Sequence, residues 1–275
     1  MKMISNVHTH TVFCDGLNTL REMAEQALAI GFSDLGFSSH APTPFDTAFP
    51  GLLDEQAYRD EIAALKEEYS GRLGILCGVE QEYYCPVNRE DYDYIIGSVH
   101  YIPAEDGSLF ATDDKKAIVD IAARTHYHGD CLAMARDYYD LMVKNAQVYK
   151  PDIIGHFDLI TKFNGGGDFF DESGKPYHDM ALEALDAVID AVNSYGGMIE
   201  VNTSVMVREL KDIPYPAPFL MRRMAERGVR TIITTDCHRA SLLNAGFETA
   251  LEMMRDAGFK SMAVLKDSRF ADITI

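Results

Sequence analysis

Seven short apolar runs recur along the chain, at 3–10, 34–40, 73–84, 94–102, 152–160, 196–204 and 229–238, and each turns polar at its carboxyl end. Parallel strands buried on both faces read this way, because helices cover both sides of their bodies. Helical patterns lie between the runs. Thr19 to Ile30 puts Leu20, Met23, Ala24, Ala27 and Leu28 on one stripe, with Gly31 placed to close it. Asp54 is positioned to N-cap a helix carrying Ile62, Leu65 and Tyr69. The pattern repeats at 131–149, 179–194, 217–227 and 241–257, the last two closed by Gly228 and Gly258. Such alternation predicts an α/β fold with a mostly parallel sheet. Seven strands are one short of an eight-stranded barrel, and the stretch 262–275 is left to add a strand or to pack across the barrel. Gly165 to Gly167 and the prolines at 214, 216 and 218 read as loops, so 1–275 is taken as one domain.

Charge narrows the classes of function. Acidic residues outnumber basic ones 43 to 25, for a formal net charge of −18. Such a surface repels the nucleic-acid backbone and anionic membranes, so neither is expected as a partner. No run approaches the roughly 18 apolar residues of a membrane span, and the first ten residues lack the apolar centre of a signal peptide. Five scattered cysteines with no C-x-x-C pair argue against a disulfide scaffold and for the cytoplasm.

The histidines carry the chemistry. The first run ends in His8-Thr9-His10, whose alternation puts both imidazoles on one face of a strand. Asp15 follows in a turn with Gly16 that can bring its carboxylate back over the strand end. Later runs end in His40, His100 and His156, the third carries Glu80, and the last ends in Asp236-Cys237-His238. Six of the nine histidines thus fall at strand ends, leaving His126, His128 and His178. In a βα barrel all these ends meet on one face. Six imidazoles and three carboxylates gathered there without a cation would be costly, whereas divalent zinc, iron or manganese suits such nitrogen and oxygen donors. Nine ligands exceed one ion's needs and imply two or three, with Glu80 as a bridge.

The order H-x-H, Asp15, a strand-end histidine, Gly78-Val79-Glu80, Gly97-Ser98-Val99-His100, Gly155-His156-Phe157-Asp158 and Thr235-Asp236-Cys237-His238 resembles the polymerase and histidinol phosphatase (PHP) superfamily. The match runs from His8 to His238, and the helix with Tyr138-Tyr139 is most similar to the histidinol-phosphatase branch. The resemblance implies a distorted (β/α)7 barrel with a trinuclear metal centre. One ion would take His8, His10, Glu80 and Asp236. A second would share Glu80 and add His100 and His156, and a third would take Asp15, His40 and His238. The implied activity is phosphomonoester hydrolysis, of L-histidinol phosphate to L-histidinol and phosphate in histidine biosynthesis. A metal-activated hydroxide would attack phosphorus in line, with no phosphoenzyme. Asp15, Asp236 and His238 are assigned catalytic parts.

Phosphate also needs cationic grips. Arg208, just past Asn202-Thr203-Ser204, Lys162 after the fifth run, and Arg239 beside His238 are the candidates, with Asn202 added as a substrate contact. Similar histidinol phosphatases commonly carry an arginine where Lys162 stands. Glu82 is placed either to meet the ammonium or imidazole of the substrate or as a solvent-facing acid. His126 and His128 read as loop residues before a helix, His178 as a helix-start residue, and Cys237 as packing. Three other readings stay open: a PHP enzyme for another small phosphate ester, a metal amidohydrolase, and a non-catalytic metal-binding protein. Asp15 and the paired Asp236 and His238 weigh against the second, and nine filled ligand positions against the third. Oligomeric state is left open.

Overall fold

Each apolar run reaches the sheet, trimmed to what the ladder needs. In the computed structural model, which describes residues 4–275, the strands are β1 (Ser5–Asn6), β2 (Asp34–Phe37), β3 (Gly74–Glu82), β4 (Tyr94–Ser98), β5 (Tyr101–Pro103), β6 (Leu109–Ala111), β7 (Ile153–Ile154), β8 (Met198–Asn202), β9 (Thr231–Thr234), β10 (Ser261–Lys266) and β11 (Arg269–Thr274). Met3, which the sequence reading put in the first run, lies outside the described residues. Nine strands form one sheet in the order β1-β2-β3-β4-β7-β8-β9-β10-β11. The pairings from β1 round to β9 are all parallel.

The ring closes at its mouth. Past the ends of β1 and β9, Thr9 and Cys237 form a parallel bridge, with His10 N–H donating to Cys237 O at 2.9 Å and Cys237 N–H to His8 O at 3.3 Å. At the opposite end β10 enters beside β1, Leu265 N–H donating to Ser5 Oγ at 2.9 Å, and turns back as the antiparallel β11. The result is a distorted (β/α)7 barrel, with the 262–275 stretch as its extra hairpin.

Helices α1 (Leu20–Ile30), α2 (Glu55–Glu68), α3 (Lys116–His126), α4 (Cys131–Val148), α5 (Lys175–Tyr195), α6 (Ser204–Val207), α7 (Pro218–Arg227) and α8 (Phe247–Ala257) cover the outside. Thr19 and Glu22 form a capping box at α1, Asp54 caps α2, and Gly31, Gly228 and Gly258 end their helices in the left-handed region. Three expectations need correction. Helix α8 starts at Phe247, not at 241, because a 3₁₀ turn and Gly246 at φ 74° precede it. The run 94–102 breaks after Ser98, and its tail pairs with β6 as a separate hairpin. His126 ends α3 and stacks on Phe110, so it is no loop residue.

Two apolar layers hold the barrel. The larger lies between strands and helices. The smaller joins Val7, Tyr94, Ile96, Ile153, Met198 and Ile232, all on or beside strands, and fills the inside of the ring. Tyr94 is its largest member, and its hydroxyl donates to Val7 O at 2.5 Å and Phe37 O at 3.0 Å. Gly36 and Gly78 make room for it; a Cβ on Gly78 would stand 2.2 Å from the Tyr94 ring. The ring cannot withdraw without breaking those bonds, so Gly78→Ala is expected to cost about 1–3 kcal/mol through overpacking. A urea midpoint that falls with unchanged slope would bear this out, and an unmoved midpoint would refute it.

Candidate metal centre

Beyond Asn6 the chain stays extended, held by the Thr9 bridge, and carries two fully buried imidazoles inward. His8 Nε2 stands 3.2 Å from Glu80 Oε2 and 3.7 Å from Asp236 Oδ1; His10 Nε2 stands 3.4 and 3.0 Å from the same two oxygens. Donors bonded to one ion at about 2.0–2.1 Å sit roughly 3.3 Å apart at the corners of a tetrahedron. These four atoms therefore frame a space the size of one metal ion.

Glu80 turns its other oxygen to a second group: Oε1 lies 2.9 Å from His156 Nε2 and 3.4 Å from His100 Nε2. A third group forms on the open side, where Asp15 Oδ2 meets His238 Nε2 at 3.0 Å and Asp15 Oδ1 lies 3.8 Å from His40 Nε2. The structure thus brings the eight strand-end residues and Asp15 together. His40 stands between groups, since its Nδ1 is 3.0 Å from Glu80 Oε2. Asp15 returns through a tight turn closed by Gly16 N–H on Thr11 O, where a Cβ would come within 2.4 Å of the Thr11 nitrogen. Only glycine fits that approach. The Asp236 and His238 pairing does not come from strand alternation. β9 ends at Thr234, and Asp236 adopts φ 47°, a left-handed turn that aspartate tolerates better than most residues.

Electrostatics favour a cation here. Burial would raise Glu80 and Asp236, yet neighbouring imidazoles hold both carboxylates well below their ordinary range. Burial, then His238 and His40, pushes His10 down to about 3. Burial also works against charge on His8, but Glu200, Glu80 and Asp236 hold it well above the usual value. His8 Nε2, His10 Nε2 and Glu80 Oε2 are buried and lack hydrogen-bond partners. Orphaned atoms of this kind are costly, and divalent ions satisfy them together. The donor set therefore fits zinc, iron or manganese.

Neighbouring acceptors fix which ring nitrogen is presented. His8 Nδ1 pairs with Glu200 at 2.9 Å, His100 Nδ1 with Glu82 at 3.2 Å, and His238 Nδ1 with Asp236 O at 3.0 Å. In each case Nε2 is left to face inward as a ligand. Glu200 was missed from sequence. It is fully buried and also accepts from His156 N–H, Asn202 Nδ2 and the Thr234 hydroxyl. A glutamate inside the apolar run 196–204 was the available signal, because a charge there demands partners.

Two connected chambers open above the ligands, of about 60 Å³ and about 330 Å³. Lys162 and Arg208 border both, with Arg208 Nη2 at 3.4 Å from His238 Nδ1. The Lys162 ammonium is held by Asp113, at 2.7 Å from its carbonyl and 3.0 Å from its carboxylate. Burial would raise Asp113, a second residue missed from sequence, but Lys162 and His100 bring it down to about 2. Two candidate contacts fall elsewhere. Asn202 is buried with its amide spent on Glu200 and Ser204 N–H, and it lines neither chamber. Arg239 is exposed and borders neither. Glu82 is buried rather than solvent-facing, and it borders the larger chamber.

The sequence profile of the PHP domain matches residues 6–204. The chain belongs to the PHP domain family. A Deinococcus radiodurans protein named a probable histidinol-phosphatase is 31% identical, over 95% of this chain and 96% of that protein. The Bacillus subtilis histidinol-phosphatase is 28% identical, over 89% of this chain and 97% of that protein. Among solved folds, the Lactococcus lactis histidinol phosphate phosphatase, crystallised with zinc, L-histidinol and phosphate, superposes with a TM-score of 0.72 at 19% identity, covering 98% of each chain. This PHP barrel depends on Glu200 to orient His8, so Glu200→Gln is expected to weaken metal binding by about 10–100-fold. Competition for zinc against a chelator of known affinity measures it, and unchanged affinity with intact circular dichroism would exclude the role.

Proposed function

We propose that this PHP protein is a metal-dependent phosphomonoesterase that hydrolyses L-histidinol phosphate to L-histidinol and phosphate, a step of histidine biosynthesis. The observation that carries the reading is Glu80, which offers one oxygen to each of two imidazole groups beneath a chamber bordered by Lys162 and Arg208. The relatives named histidinol-phosphatase, matched over nearly their whole lengths, support the substrate.

We assign one ion to His8, His10, Glu80 and Asp236, a second to Glu80, His100 and His156, and a third to Asp15, His40 and His238. When bound, such ions acidify a water for attack on phosphorus and neutralise phosphoryl oxygens. The chain's own residues do the rest. Lys162 and the Arg208 guanidinium, which border the same chamber as the ligands, receive the phosphate there, the lysine exchanging its bond to Asp113 for one to the substrate. Leu159, Val205 and Tyr215 border the smaller chamber and limit water there. Asp15, Asp236 and His238 also border it, and we assign to this group the positioning of the water that protonates the leaving alkoxide. All five cysteines are free, in keeping with a cytoplasmic enzyme. Among the described residues no helix is long and apolar enough to cross a membrane.

Zinc- or manganese-loaded protein is expected to release phosphate from L-histidinol phosphate faster than from sugar phosphates or nucleotides, and to stop on chelation. Metal-replete protein inert toward L-histidinol phosphate would overturn the reading. Arg208→Ala removes a charged hydrogen bond worth about 1.5–3 kcal/mol, so kcat/KM should fall about tenfold or more. Unchanged kinetics would remove Arg208 from the site.

A further inference from the structure

Lys162 and Arg208 stand on different loops, yet they must meet one phosphoryl group. Lys162 follows the 3₁₀ turn after β7, and Arg208 follows the single-turn helix α6 after β8. A helix of four residues has too few internal hydrogen bonds to hold itself. Glu209, next along, adopts φ 55°. Arg208 is exposed, forms no ion pair among the described residues, and has its guanidinium only 3.4 Å from His238 for support. Nothing within this turn fixes where the arginine stands.

The restraint comes from three residues that border neither chamber. Lys211, three residues past Arg208, donates to both oxygens of Glu172 at 2.8 and 2.9 Å, with 11% of its side chain exposed. Asn164, two residues past Lys162, donates to Glu172 Oε1 at 2.9 Å and to Phe170 O at 2.8 Å. Its own oxygen accepts from the Phe169 and Phe170 N–H groups. Asn164 is buried, and its whole amide is spent closing the loop that runs through Gly165, Gly166 and Gly167. Gly166 and Gly167, at φ 79° and 81°, would otherwise leave that loop loose. A continuous path thus runs from Lys162 through Asn164, Glu172 and Lys211 to Arg208. Its central ion pair is largely shielded and engages both carboxylate oxygens, so it holds better than a solvated pair.

Resting on the phosphomonoesterase reading, we infer that Asn164, Glu172 and Lys211 form a brace that sets the distance between Lys162 and Arg208. They are positioning residues for the phosphoryl group and do not touch it. Two cations on one phosphoryl group gain from fixed spacing, because a misplacement of about 1 Å can cost on the order of a hundredfold in rate. The brace acts on a limited span. Farther on, Tyr215 and Asn202 exchange both backbone hydrogen bonds, at 2.7 and 2.9 Å, and Ala217 N–H donates to Asp158 at 2.9 Å. Those ties fasten the chain to the barrel without Lys211, so its loss frees the stretch from Arg208 to Ile213 and leaves the fold intact.

The test is a double-variant cycle on metal-loaded protein, read as kcat/KM for L-histidinol phosphate and as the inhibition constant of inorganic phosphate. Lys211→Met keeps an unbranched apolar stem and removes the charge. It should lower kcat/KM about fivefold and raise the phosphate constant by a similar factor, with zinc affinity unchanged. Glu172→Gln should act alike, while Lys211→Arg, which can still meet both oxygens of Glu172, should retain most of the activity. If Lys211 works through Arg208, adding Lys211→Met to Arg208→Ala lowers kcat/KM by less than about twofold more. Losses that multiply in the double variant, or a phosphate constant unmoved by Lys211→Met, would overturn the inference. Metal-replete wild-type protein that cleaves no phosphomonoester would instead defeat the functional reading, and the brace with it.

Discussion

Glu80 is a carboxylate almost wholly out of water with five imidazoles around it: His8, His10 and His40 toward one oxygen, His100 and His156 toward the other. Burying such a charge costs several kcal/mol, recovered only where partners are well placed and cationic. Everything at this end of the barrel serves that condition. The strands bring donors from distant points of the chain, Ser98 adds a hydroxyl at 2.7 Å, and divalent ions complete the neutralisation. Stability is drawn from elsewhere. The ring inside is apolar below the ligands, with Tyr94 and its glycine neighbours fixing the strand spacing. Packing and chemistry thus occupy opposite ends of one barrel, as in other βα barrels.

Glu200 links the two. Its carboxylate accepts from His8, from the His156 backbone, and from Asn202 and Thr234, and so ties the ends of β1, β7, β8 and β9 to one buried charge. A one-residue slip of any of these strands would turn the donor to the other face and leave the charge unpaired. Strand register and ligand geometry are therefore enforced by the same group. The barrel mouth is preorganised by electrostatics as much as by apolar contact.

What the sequence made legible follows from this. Polar residues ending apolar runs have few roles other than a shared rim, so the gathering of eight such residues and the parallel βα sheet could be read from the residues, and the seven-stranded barrel from the family resemblance. Asp15 was legible because Gly16 permits a turn no other residue allows. The β5–β6 hairpin and α3 were not. The hairpin is only two three-residue strands, and α3 buries just Val119, Ala122 and Ala123, too small a face to stand out. Position after a strand also does not reveal which way a side chain is spent. Asn202 lies two residues beyond Glu200, on the same strand face, and its amide is consumed by that carboxylate before any substrate can use it. Pairings between distant residues, such as Lys162 with Asp113, leave no mark in one sequence.

The division between strands and loops explains how one metal-binding barrel can serve different esters. Ligands held by buried charge cannot drift without unpairing Glu80 or Glu200, so the reacting end is the same whatever the alcohol. Much of the outer chamber's wall comes from the segments 41–53 and 101–114, neither of which supplies a partner to Glu80 or Glu200. Tyr101 Oη donates to Asp46 Oδ2 at 2.6 Å and Phe45 packs edge-on against the Tyr101 ring, joining these two loops above the metal ligands. A change on either loop alters the walls that meet the alcohol and leaves the donors untouched. Choice of substrate can therefore vary at this pair of loops, while the hydrolytic chemistry stays fixed by the carboxylates beneath.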